Sequence, residues 1–176
     1  MDWENVFQYV AKDIPATVDD ITYLQKSVLA PLTKSEIVEI NSQQQNPFSV
    51  SDPLHEKYQT IDPSKWDIPM RQFPDAFVAF LEWSNGGNFL RGEREFNMFC
   101  TKSIRGYLLA YQIPAYMPGA VPFAFDGGRE FYLFDMREEM NDGEYPILMA
   151  HSESLGWDQD DAIRIADTFI EAITES

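Results

Sequence analysis

The sequence predicts an α+β fold: a central antiparallel sheet with helices packed against it, N-terminal helices and a C-terminal helix. Three observations carry this. Strand-like runs are grouped in the middle of the chain, apolar residues at helical spacing recur towards both ends, and glycine-bearing turns of hairpin length join the strands. The 176 residues, 44% of them apolar and including 4 Trp, 8 Tyr and 13 Phe, suffice for one domain over 1–176 with a ring-rich core.

Taken in order, Trp3, Val6, Phe7 and Val10 stand at helical spacing and predict a short amphipathic helix over 3–12, ended by Pro15. Thr17 reads as a helix N-cap, with Asp19 and Asp20 in the first turn and Ile21, Leu24 and Val28 on one face. Thr33 or Ser35 caps a further helical turn running through Ile40. Residues 41–72 change character. Gln43-Gln44-Gln45 and Pro47, Pro53, Pro63 and Pro69 oppose regular structure, while Phe48, Leu54, Tyr58, Ile61 and Trp66 argue for order. The expectation is a proline-rich ordered loop packed across the domain.

The clearest helix opens at Pro74, suited to a first helical position, and aligns Phe77, Phe80, Leu81 and Ser84. Ser84-Asn85-Gly86-Gly87 stops it, because Asn and Gly accept the left-handed conformation. Asn88-Phe89-Leu90 and Glu95 to Phe99 read as the first strands, around a turn at Gly92. Thr101 caps a helix over 102–111 with Ile104, Leu108 and Tyr111 inward, and Pro114, Pro118 and Gly119 then bend the chain. The strongest hairpin signal pairs Val121-Pro122-Phe123-Ala124-Phe125 with Glu130-Phe131-Tyr132-Leu133-Phe134 across Asp126-Gly127-Gly128-Arg129. Asn141-Asp142-Gly143 turns the chain into a strand over 145–150. Asp158 or Asp160 caps a last helix carrying Ile163, Ala166, Phe169, Ile170 and Ile173.

Candidate chemistry is sparse. The lone Cys100 lies in the apolar run from Phe96, which reads as an inert buried thiol, and one cysteine excludes an intramolecular disulfide. His55 could be set against Cys100, and His151 against Ser152 or Ser154, but neither has a local nucleophile signature such as G-x-S-x-G. Asp158-Gln159-Asp160-Asp161 begins like a calcium loop, yet lacks glycine at the sixth position and places Phe169 at the twelfth. Asp126 and Asp135 flank a hairpin as a carboxylate pair would, though each also reads as a turn or strand-end residue. Asn85, Gly86, Gly87, Asp126, Gly127 and Gly128 are structural turn residues, without the spacing of phosphate loops. The expectation is therefore no catalytic residue, no metal and no cofactor. The N-terminus shows no signal-peptide pattern and no window approaches the roughly 18 apolar residues of a membrane span, so a cytoplasmic protein without a membrane partner is expected.

Charge is the dominant global feature. With 29 acidic against 13 basic residues the net charge is -16, which opposes direct binding to nucleic acid and favours a basic protein partner. The charge is also uneven: from Glu138 onward 11 acidic residues face Arg164 alone, a balance of -10. The candidate partner-binding residues are Glu138, Glu139, Asp142, Glu144, Asp158, Asp160 and Asp161.

Three segments resemble a known family. Phe73-Pro74-Asp75 leading through Phe80-Leu81 to Ser84-Asn85-Gly86-Gly87 is similar to its helix and Asn-Gly-Gly turn. Pro122-Phe123-Ala124-Phe125-Asp126-Gly127-Gly128 followed by Phe131-Tyr132-Leu133-Phe134-Asp135 is similar to its central hairpin. Leu155-Gly156-Trp157-Asp158 leading into Ile165-Ala166-Asp167-Thr168-Phe169 resembles one of its bacterial subgroups. The family is the SUKH superfamily, in the branch related to the yeast cell-wall-assembly regulator. Residues 1–72 depart from its pattern. The resemblance implies an α+β fold, no catalytic residues, and a bacterial role as an immunity protein that neutralises toxin domains, often nucleases. The alternative it implies is a regulatory adaptor or ligand-sensing module tied to cell-wall or envelope synthesis, with Phe48, Tyr58 and Trp66 over a pocket.

Overall fold

The Asp126-Gly127-Gly128-Arg129 turn closes the hairpin at the centre of the molecule. Asp126 Oδ1 accepts the N–H groups of Gly128 (2.8 Å) and Glu130 (3.0 Å), and Gly127 takes φ 84°. A computed structural model describes residues 1–138 and 141–175. Among these residues, β1 (Tyr9–Lys12), β2 (Gly87–Arg91), β3 (Arg94–Met98), β4 (Ala120–Phe125), β5 (Glu130–Asp135), β6 (Ile147–His151) and β7 (Ala162–Ala166) form one seven-stranded sheet. Each strand pairs antiparallel with the next in the chain. The helices are α1 (Val18–Tyr23), α2 (Lys34–Gln43), α3 (Asp75–Trp83), α4 (Thr101–Ala110), α5 (Ile113–Tyr116) and α6 (Phe169–Thr174). The α+β class and its antiparallel sheet are as predicted.

Register places rings on both faces. Partners across an antiparallel ladder share a face, so Val10, Phe89 and Phe96 align, as do Met98, Ala124, Tyr132, Met149 and Ile163. Against that face pack α3 and α6. Phe77 lies edge-on to Phe134 and to Phe169 at 5.2 Å each, and Phe80 to Phe89 at 5.2 Å. The alternate row, Asn97, Phe125 and Phe131, faces the other way. There Phe125 stacks on Phe131 at 4.2 Å, and Tyr107 of α4 stacks on Phe99 at 4.1 Å.

Polar side chains fix the N-terminal helices onto this core. Thr17 with Asp20, and Thr33 with Glu36, each form a reciprocal capping box, which selects Thr33 of the two candidate caps. Arg105 of α4 is only 8% exposed. It donates to both oxygens of Glu36 (2.7 and 2.9 Å) and to the carbonyls of Val28 (2.8 Å) and Ala30 (2.9 Å). One guanidinium thus joins α2, the π-helical turn Leu24–Val28 and α4.

Several elements differ from the sequence reading. The helix predicted over 3–12 is a 3-10 turn, Trp3–Asn5, followed by β1. A segment this short gains little from helix formation alone, whereas β1 pairs with β2 while Trp3 and Phe7 bury their rings. The strand at 87–91 is consequently the second, not the first. Pro74 is the residue before α3 rather than its first. Thr101 is the first residue of α4 and not its cap; the Thr101 N–H donates to Asn85 Oδ1 at 2.8 Å. The last helix is not capped by Asp158 or Asp160. Ala162 to Ala166 pair with β6, and α6 starts after Thr168, whose Oγ1 accepts the Glu171 N–H. Here β-branched Ile163 and Ile165 serve a ladder, although their spacing also suits a helix.

In the 41–72 segment α2 persists to Gln43, and the chain then runs through two 3-10 turns, His55–Lys57 and Pro63–Lys65. Amide side chains order it. Gln44 exchanges two 2.6 Å bonds with the Ile61 backbone, and Asn46 binds the His55 carbonyl at 2.9 Å. Phe48, Tyr58 and Trp66 are half-buried, and Ile68 alone of the segment's apolar side chains joins the core cluster.

Candidate functional site

The acidic stretch divides between two connections that meet β6 at opposite ends. The β5–β6 connection carries Glu138, Asp142 and Glu144; Glu139 lies outside the described residues. Glu138 and Asp142 are exposed, Asp142 in the left-handed conformation at φ 64°. Glu144 is half-buried, and its Oε2 accepts the Phe169 N–H at 3.3 Å, at the start of α6. Burial raises its carboxyl above the ordinary carboxylate range, with the Phe169 N–H acting in the opposite direction. Glu144 therefore serves the start of α6.

The β6–β7 connection carries Asp158, Asp160 and Asp161. Asp158 and Asp160 are exposed and Asp161 is half-buried. The Asp158 carbonyl accepts the N–H groups of Asp161 (3.0 Å) and Ala162 (3.3 Å), so the acidic run is a tight turn into β7. Just before it, Trp157 lies under Arg137, whose guanidinium is 3.4 Å from the ring centroid. Arg137 also holds Asp135 with two bonds, 2.9 and 2.7 Å. This stack links the neighbour of Glu138 to the neighbour of Asp158, two segments that the sequence separates by about twenty residues.

Beside the stack lies a cleft of about 410 Å³ lined by Asp135, Arg137, Glu138, Pro146 and Arg164. Its cations are internally matched: Arg137 by Asp135, and Arg164 by Asp167 through Nε at 3.0 Å. Glu138, Asp142, Asp158 and Asp160 carry no ion pair among the described residues. They are the exposed carboxylates left to act on solvent or a partner. The Arg137–Trp157 stack was missed from sequence; the one available signal is an arginine two residues after Asp135, at the end of a strand.

The catalytic alternatives are not assembled. Asp126 and Asp135 sit at opposite ends of the β4–β5 hairpin, about 20 Å apart along six strand residues, far beyond the reach of a cooperating carboxylate pair. His151 Nδ1 accepts the Glu153 N–H at 3.2 Å. Cys100 Sγ donates to Ser103 Oγ at 3.4 Å, while His55 Nδ1 lies 2.8 Å from the Phe48 carbonyl in another part of the chain.

The turn residues are structural in specific ways. Asn85 both ends α3 and bonds Thr101 at the start of α4. Gly87 takes φ 119°, and a Cβ there would stand 2.5 Å from the Ala11 carbonyl oxygen, so β1 pairs closely only because this residue is glycine. Among the described residues no helix is long and apolar enough to cross a membrane.

Residues 64–175, well over half of the chain, match the model of the SMI1 / KNR4 family (SUKH-1). The chain belongs to this family. SUKH-1 membership is consistent with a non-catalytic immunity or regulatory domain. The match takes in every element from α3 to α6, the whole acidic stretch included, whereas β1, α1 and α2 precede it. No curated protein matches the chain in sequence.

Proposed function

We propose that this SUKH-1 protein is a non-catalytic immunity protein that acts in the cytoplasm and neutralises a basic toxin domain of the nuclease type. The observation that carries this reading is the set of exposed carboxylates with no ion pair among the described residues, Glu138, Asp142, Asp158 and Asp160, on two connections joined by the Arg137–Trp157 stack. Their surroundings hold few cations, and those cations already bind carboxylates of this chain. A nuclease site, built to hold phosphates, presents the complementary sign. Asp161 lies beside this set, and Glu139 in the same stretch belongs to the proposed contact. Glu144 does not, because it faces α6.

Co-expression tests the reading. A basic nuclease toxin encoded next to this protein should lose its toxicity and co-purify with it. Growth arrest despite expression of the folded protein, for every adjacent toxin candidate, contradicts the proposal.

A second reading, a regulatory or ligand-sensing module linked to envelope synthesis, is favoured by one feature. A cleft of about 230 Å³ is lined by Pro31, Leu32 and Ile37 together with Pro63, Trp66 and Met70 of the 41–72 segment; of the three rings expected over a pocket, Trp66 lines it and Phe48 and Tyr58 do not. A small molecule that raises Tm in wild type, and not in a Trp66→Ala variant, supports this reading over the first.

A further inference from the structure

The sheet ends in two strands that are finished differently. β1 has four residues and closes on Lys12, whose ammonium lies 4.4 Å from the Trp83 ring centroid and 3.7 Å from Glu4. A short edge bearing a lysine is a common guard against strand addition. β7, at the other end, reads Ala162-Ile163-Arg164-Ile165-Ala166, with neither lysine nor proline. Among the described residues it pairs with β6 alone, so about half of its main-chain groups point away from the sheet, although the Ala162 N–H is already taken by the Asp158 carbonyl at 3.3 Å. Ile163 is 64% exposed on the face it shares with Met149, and Arg164 is engaged by Asp167 just past the end of the strand. A register shift falls between Ile147 and Leu148, which leaves Ala162 to Arg164 as the regular stretch.

The charges at the two ends of β7 select what can pair there. Asp158, Asp160 and Asp161 precede the strand, and Asp167 and Glu171 follow it. A second copy adding antiparallel would set Asp160 and Asp161 against Asp167 and Glu171, like charge on like, and a parallel copy would do the same end by end. An extended segment with Lys or Arg at both ends meets Asp158 and Asp160 at one end and, at the other, Glu171 with the Asp167 that Arg164 already engages, a net negative charge at each. We propose that β7 is a docking edge on which an extended segment of a basic protein partner, apolar at alternate positions and basic at its ends, adds as the next strand. Main-chain hydrogen bonds supply the affinity, Ile163 contacts one side chain of the incoming strand, and the flanking carboxylates choose the partner. The inference rests on the reading of this protein as a binder of a basic partner, and specifies how that partner is held.

The probe is a nine-residue amidated peptide, Lys-Lys-Val-Thr-Val-Thr-Val-Lys-Lys, titrated into the full chain and followed by amide NMR and hydrogen exchange. Exchange of the outward amides of β7 should slow about tenfold or more, with shifts centred on 158–167. The Ile163→Lys variant, otherwise unchanged in its spectrum, should bind about fivefold or more weakly, and the same core with Glu at both ends should not bind. No protection of β7 at saturating peptide, or equal binding of the Glu-ended peptide, overturns the proposal. A basic toxin domain that binds wild type and Ile163→Lys equally removes the docking edge while the immunity reading stands. Strand addition by the peptide without any toxin binding has the reverse meaning.

Discussion

The guanidinium of Arg137 stands 3.4 Å from the centroid of the Trp157 ring, and through this contact the connections at the two ends of β6 meet. Without it the β6–β7 connection would be held by its own turn, by the bonds of Ser152 and Glu153 to Arg129, and by contacts of Leu155 with the core. Trp157→Ala should therefore destabilise the protein by about 2 kcal/mol, from lost stacking and ring burial. Trp157→Phe, which keeps an aromatic face, should cost about half as much. Urea denaturation gives the stability change. Hydrogen exchange should place the loosening at 152–161, and unchanged exchange there in the Ala variant contradicts the bridging role.

Glu36 links the fold to pH. Its hydrogen bonds to Arg105, foremost, and to Thr33 hold its carboxyl at about 2, from an ordinary 4.5. A value lowered in the folded state adds stability that is complete above the unfolded value and lost as pH falls towards the folded one. Stability should thus decline between pH 4.5 and 2. Glu36 is partly solvated, so its share is about 1–2 kcal/mol after screening. Asp20, lowered to about 2 by Thr17 and Lys102, titrates in the same window. Glu36→Gln should accordingly flatten the acid limb without abolishing it. An identical pH profile in that variant argues against the Arg105 clamp.

Glu144 has the opposite sign. Burial raises its carboxyl, so its protonated form favours the folded state at low pH, and that contribution fades as pH rises through the raised value. Glu144→Gln keeps an acceptor for the Phe169 N–H and removes the charge. It should leave Tm equal or slightly higher at pH 7, whereas Glu144→Ala should lower it. Neither should weaken partner binding, and a tenfold loss with Glu144→Gln would return this residue to the contact surface.

Asn85→Ala tests the cap that Asn85 provides for α4 across sixteen residues, with an expected loss of about 1 kcal/mol. Gly87→Ala is the harsher change, because the Ala11 carbonyl occupies the space a Cβ needs. A loss of about 2 kcal/mol or more, with disrupted β1 signals by NMR, is expected. Equal stability of the two variants would mean that β1 can move aside.

The hairpin of β4 and β5 was legible because its turn chemistry and both strands are contiguous in the sequence. β1 and β7 were not, since both are short and their apolar residues also suit helical spacing. Only pairing with a distant strand decides between the two structures. The cap on α4 was misplaced for a related reason: its acceptor arrives from the turn after α3. In the candidate site, the excess of acid after Glu138 is a sequence property. Which carboxylates turn outward depends on contacts such as Glu144 with Phe169 and Arg137 with Trp157, each of which joins residues about twenty or more positions apart.

The central claim is that the exposed carboxylates hold a basic partner. It is tested most directly by the Kd for a co-purifying basic toxin domain, measured for wild type and for the Glu138→Lys, Asp142→Lys, Asp158→Lys, Asp160→Lys combination at low and high salt. The expected result is a loss of about 100-fold or more at low salt that narrows as salt rises, with the fold intact by circular dichroism. Equal affinity of the two proteins at both salt concentrations contradicts an acidic contact surface.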